Sequence, residues 1–163
     1  LITSLPKPNE NESNMNSINK SMKLMAWLFL YAVIVLVSGG FLSHQDTAWH
    51  QMGQSYEELI PGRTLIYSIF YPAYIIFGLG TWWYAKKNFT AELFDKKFKI
   101  AIILSTFAPF MFLPSQDPEV MILSTDLWNI IFRTSYWLMM FVWITSFLYL
   151  NGRLGLNIVK LTS

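Results

Sequence analysis

Residues 24–42 read LMAWLFLYAVIVLVSGGFL, an unbroken run without a charge. As an α-helix this run can cross a hydrocarbon layer of roughly 30 Å. Gly39 and Gly40 stand near its far end, where they permit close packing or an early helix end. Three more stretches follow. Residues 64–84 form the second, with Pro72 in the middle. A proline there removes a helical hydrogen bond and predicts a kink. The third, 100–113, is short; it begins near Phe98 and runs past Pro109 and Pro114 as an irregular or tilted segment. The fourth, 127–150, carries Arg133 inside it. The pattern predicts an all-α integral membrane protein with four transmembrane helices.

Composition points the same way. Of 163 residues, 53% are hydrophobic, 17% aromatic and only 13% charged. A soluble domain carries about 25% charged residues, so an ordinary water-soluble globule is excluded. The chain has no cysteine, which excludes disulfides, thiolate metal sites and cysteine nucleophiles. Its two histidines, His44 and His50, confine imidazole chemistry to one short segment. The net charge is +2, and no basic run is interleaved with aromatics, so a nucleic-acid partner is not expected. Gly78 and Gly80 lie mid-span and read as helix-packing residues, not as a phosphate loop. The chain divides into a flexible polar tail over 1–23, a four-helix transmembrane domain over 24–150 and a short tail over 151–163.

Loop charges set the orientation. Lys7, Lys20 and Lys23 precede the first span, and Lys86, Lys87, Lys96, Lys97 and Lys99 lie between the second and third. Arg153 and Lys160 follow the fourth. The opposite side carries Arg63 with Glu57, Glu58, Asp117, Glu119 and Asp126. The positive-inside rule then places both termini in the cytoplasm and the 43–63 and 114–126 loops outside. Trp82, Trp83 and Tyr84 fall at the inner boundary, where an aromatic belt belongs.

The densest polar cluster is His44-Gln45-Asp46-Thr47-Ala48-Trp49-His50-Gln51. If the first helix continues this far, Asp46 and His50 share one face, four residues apart. A carboxylate and an imidazole so placed suit a first-row metal such as copper, zinc or iron. Two ligands do not complete a site, and His44, six residues from His50, lies on a different face. On spacing alone the same residues read first as an interfacial polar segment facing headgroups and water. Arg133 is the second unusual residue, because a charge deep in a membrane helix costs about 3 kcal/mol on insertion scales. It reads as part of a buried ion pair or polar pathway, or as an anchor pairing with Asp126, Glu119 or a partner subunit.

Several motifs in register carry a family resemblance. Gln45-Asp46-Thr47-Ala48-Trp49-His50-Gln51 resembles the metal-site segment of the C subunit of particulate methane monooxygenase and ammonia monooxygenase. The resemblance continues through Tyr71-Pro72-Ala73-Tyr74-Ile75-Ile76-Phe77-Gly78 and Tyr84-Ala85-Lys86, and resumes at Ala108-Pro109-Phe110-Met111-Phe112-Leu113-Pro114. It implies a helical subunit packed with A- and B-type subunits, with a further C-type subunit as an additional candidate partner, in a cell or intracytoplasmic membrane. It also implies a complex that oxidises ammonia, methane or short hydrocarbons with copper and dioxygen.

The resemblance carries a ligand pattern of Asp, a His four residues later and a second His thirteen beyond that. Asp46 and His50 match the first two. The third position falls on Arg63, whose guanidinium stays protonated and cannot ligate a metal. A second family site, built from Asn and two His, maps to 117–136, where Ser135 stands at the last His position. The resemblance thus implies a diverged C-type subunit, shortened at its N-terminus, with depleted metal ligands. Arg63 at the third-ligand position supplies a fixed positive charge in place of a metal, beside Asp46. Three functions follow: an accessory scaffold subunit; a chain holding copper through Asp46 and His50 with His44, water or a neighbour; or a small membrane adaptor or transporter component unrelated to oxygenation.

Overall fold

The computed structural model describes the backbone of residues 10–52, 56–112 and 126–162, and the side chains of 11–41, 67–110, 134–135 and 137–162. The described residues form four helices: α1 (Glu10–Met52), α2 (Tyr56–Asn88), α3 (Lys96–Phe112) and α4 (Asp126–Thr162). In chain order each packs on the next, and α4 closes the ring against α1. At 1.5 Å per residue, α1, with 43 residues, is about 65 Å long. With 33, 17 and 37 residues, α2, α3 and α4 run about 50, 26 and 56 Å.

Three helices extend beyond the expected spans. α1 starts at Glu10, inside the segment expected to be a polar tail, and α4 runs on to Thr162. The two extensions support each other. Asn157 Nδ2 on α4 donates to Ser21 Oγ on α1 at 3.1 Å, and Leu154 joins Leu24 in one buried cluster. Gly39 and Gly40 do not end α1. A glycine costs about 1 kcal/mol inside a helix, which one long cooperative helix absorbs. Among the described residues a Cβ at Gly40 would meet nothing within 4 Å. The expected outer loop over 43–63 is mostly helix, with α1 reaching Met52 and α2 resuming at Tyr56. α2 also passes through Pro72 without interruption.

The core has two layers. One gathers Tyr31, Ala32 and Val35 of α1 with Tyr74, Phe77, Ala108 and Trp143. The other gathers Leu24, Leu28, Ala85, Phe98, Ala101, Ile102, Leu150 and Leu154, plugged from one end by Leu93 and Phe94 of the α2–α3 connection. Gly78 sets the α2–α3 distance, since a Cβ there would overlap Oγ1 and Cγ2 of Thr106. The reading of Gly78 as a packing residue therefore holds. Gly80 is near Trp27, whose ring would lie 3.2 Å from an added Cβ.

The outside is apolar as well. Leu36, Leu79, Trp137 and Phe141 are each about two-thirds exposed, alongside Phe29, Val33, Ile76, Ile103 and Phe107. Among the described residues, one helix segment, Asn11–Phe41, is long and apolar enough to cross a membrane, and only 28% of its apolar window is buried. A core helix of a soluble protein would hide most of that surface. An exposed apolar surface of this extent marks contact with lipid or with other chains.

Candidate functional site

α1 carries His44, Asp46 and His50 on one uninterrupted helix. The condition on which Asp46 and His50 share a face is therefore met by the backbone, and His44 is turned away from His50 around the same helix. Arg63 is in the second turn of α2, and Arg133 is about two turns into α4. The side chains of all five lie outside the described residues, as do Asp117 and Glu119 with the whole 113–125 segment. Among the described residues no group of three or more His, Cys, Asp or Glu could hold a metal.

Helix register relates α1 to α2. The Ser38 hydroxyl bonds the Tyr74 hydroxyl, and the rings of Phe41 and Phe70 lie 6.4 Å apart. Further down, Trp27 and Phe77 are 4.3 Å apart, and Tyr84 Oη donates to the Lys20 carbonyl at 3.4 Å. The helices are antiparallel neighbours, joined between Met52 and Tyr56. Asp46 is six residues before the end of α1 and Arg63 seven after the start of α2, so both belong to the level of the joined ends.

Beneath that level lies a hydroxyl seam that sequence reasoning missed. Tyr31 Oη donates to the Ser105 carbonyl at 2.9 Å and reaches the Thr106 carbonyl at 3.4 Å. The reason lies in Pro109. The Ser105 carbonyl would ordinarily accept the amide of residue 109, and proline has none. Tyr31 supplies the missing donor from across the bundle. Pro109 thus lies inside a continuous α3 where the sequence suggested an irregular segment. The signal was present, because a proline in an apolar helix demands an outside donor for the carbonyl four residues earlier. Next to this pair, Leu28, Tyr31, Thr81, Ser105 and Thr106 help line a cavity of about 10 Å³. Among the described residues the buried Ser105 hydroxyl has no hydrogen-bond partner.

The opposite end is held by charge. Asp95 caps α3, accepting the Phe98 amide on Oδ1 at 2.8 Å. Arg153 of α4 meets the other Asp95 oxygen at 3.3 Å and donates to the Glu92 carbonyl at 3.0 Å. The Phe98 amide, and after it the Arg153 charge, hold the Asp95 carboxyl below the usual range. The expected aromatic belt divides here. Trp83 is exposed beneath Lys87, whose Nζ is 5.1 Å from the ring centre, whereas Trp82 turns inward onto Phe94 at 5.4 Å. Ser135 is half-buried on α4.

These features define an all-helical chain with an apolar exterior, charge-fastened at one end and carrying an Asp–His pair at the other. The chain belongs to the family of the C subunits of ammonia monooxygenase and methane monooxygenase, whose model matches residues 9–122. The match takes in α1, α2 and α3, including Asp46, His50 and Arg63, and ends before α4. No curated protein and no solved structure matches the chain. Membership makes it one component of a larger enzyme, so its activity belongs to a complex with other monooxygenase chains.

Proposed function

We propose that this chain is a four-span C-type scaffold subunit, with both termini in the cytoplasm, of a copper-dependent monooxygenase. The complex would oxidise ammonia, methane or short hydrocarbons with dioxygen, alongside A- and B-type subunits. The observation that supports the reading is the family match across 9–122, a range that includes Asp46, His50 and Arg63. The helix lengths support the membrane role. α1, α2 and α4 each exceed the roughly 30 Å of a hydrocarbon core, and α3 at about 26 Å comes close to it. The basic residues gather at the end fastened by Arg153, as the positive-inside rule requires of a cytoplasmic face.

Copper is the cofactor the family implies. Asp46 and His50, one turn apart on an unbroken helix, supply two donors of suitable chemistry, a carboxylate and an imidazole. That is fewer than copper sites take, and the cation at Arg63 supplies none. The remaining donors would come from His44, water or a sibling chain. Bound there, copper would supply the chemistry that activates dioxygen. What this chain contributes is Asp46 and His50 on one helix, and the fixed positive charge of Arg63. Arg63 paired to Asp46 would give the carboxylate a counter-charge in place of a metal, which is what a scaffold role asks of it.

The test is affinity purification through this chain in mild detergent, with mass spectrometry of its partners and copper analysis. Recovery of A- and B-type subunits is the expected result; their absence would refute the subunit assignment and favour an adaptor or transporter. Copper content unchanged by His50→Ala supports the scaffold role, and its loss would show that this chain holds the metal.

A further inference from the structure

A groove of about 340 Å³ opens on the bundle surface between α1 and α2, lined by Lys23, Leu24, Trp27, Gly80, Trp83 and Tyr84. Its floor is apolar because Gly80 has no side chain; a Cβ there would sit 3.2 Å from the Trp27 ring. Trp27 and Trp83 wall it. Its rim is cationic. Lys23 lines the opening, Lys87 holds its Nζ 5.1 Å from the centre of the Trp83 ring, and the Tyr84 hydroxyl bonds the Lys20 carbonyl, which brings that residue to the same end. None of the lining residues is acidic.

We propose that this groove binds one anionic phospholipid, with an acyl chain between Trp27 and Trp83 over Gly80 and the phosphate at Lys23 and Lys87. This rests on the proposed membrane orientation, which puts the lysine end in the cytoplasmic leaflet. Two observations select a lipid over a helix from a sibling chain. Helices dock on small residues repeated every fourth position, and the neighbours of Gly80 at that spacing are Ile76, 62% exposed, and Tyr84. A charged rim at one end of an apolar slot also matches a headgroup joined to a chain. Near a membrane surface each lysine strengthens attraction to an anionic headgroup about fivefold.

The intact complex, reconstituted in phosphatidylcholine vesicles, is labelled with phosphatidylglycerol carrying a photoreactive acyl chain. Labelled peptides of this chain are then mapped by mass spectrometry. Labelling should concentrate at 23–27 and 80–84, and unlabelled phosphatidylglycerol should compete while phosphatidylcholine does not. Lys23→Gln with Lys87→Gln should cut labelling by more than tenfold, and Gly80→Leu should abolish it by filling the slot. If Gly80→Leu prevents assembly, judged by size exclusion, the lysine pair alone decides. Labelling equal for both lipids and indifferent to these changes would overturn the site, as would a sibling chain that cross-links into the groove. Carbonate extraction of the native membranes separates the two readings. A chain that resists extraction but shows no selective label refutes the groove alone, and a chain released by carbonate refutes the membrane orientation as well.

Discussion

Replacing Tyr31 by phenylalanine removes one oxygen atom and should loosen α3, a helix on the far side of the bundle. Tyr31 is 3% exposed and Ser105 2%, so bulk water does not reach the Ser105 carbonyl. That carbonyl has no amide from Pro109 to fall back on. A buried acceptor left unsatisfied costs about 1–3 kcal/mol, while side-chain hydrogen bonds between membrane helices reach about 1.7 kcal/mol at most. The two ranges overlap at about 1–1.7 kcal/mol, or roughly 5–20-fold in the opening equilibrium of the helix. Hydrogen exchange of the purified complex, read on peptides covering 101–112, should show an acceleration of that size confined to α3. The double variant Tyr31→Phe with Pro109→Ala provides the decisive comparison. Alanine restores the amide at residue 109, so the carbonyl regains a partner within its own helix and the acceleration should largely disappear. Unchanged exchange in Tyr31→Phe, or no recovery in the double variant, would refute the account of Pro109.

Other consequences can be measured in the same preparation. Gly78→Ala forces a methyl onto Thr106 and should lower the thermal stability of the complex by about 1–3 kcal/mol, with Thr106→Ala restoring part of it. Ser105→Ala removes a buried hydroxyl that has no partner, so the thermal midpoint should stay the same or rise; a marked fall would show that the hydroxyl is satisfied, for example by a water in the adjoining cavity. The Asp95 carboxyl, held low by the Phe98 amide and Arg153, should make the α3 cap sensitive to acid. Its contribution is fully present above the ordinary carboxylate range and is lost as pH falls through its lowered folded value. Asp95→Asn should remove that dependence, read as protection of the first turn of α3 against pH; an identical acid profile in the variant would refute it.

The sequence by itself determined the helical class, because uncharged apolar runs long enough to span a bilayer leave the backbone few alternatives to a helix. Its motif order also determined the family, in which residues 45–51 and 71–78 stand in register. The Asp46–His50 pair was legible for the same reason, since a four-residue spacing needs only a helix to bring two side chains to one face. The ends of the helices were not legible. Residues 10–23 and 151–162 look like polar tails when read alone, and each becomes helix by packing on the other through Asn157, Ser21, Leu154 and Leu24. Nor was the partner of Pro109. Local sequence shows that the Ser105 carbonyl lacks a donor, but the donor is 74 positions away and only the bundle brings Tyr31 to it. Spacing along one helix is fixed by the covalent chain; contact between helices is fixed by which side chains interlock, and only the tertiary structure decides that.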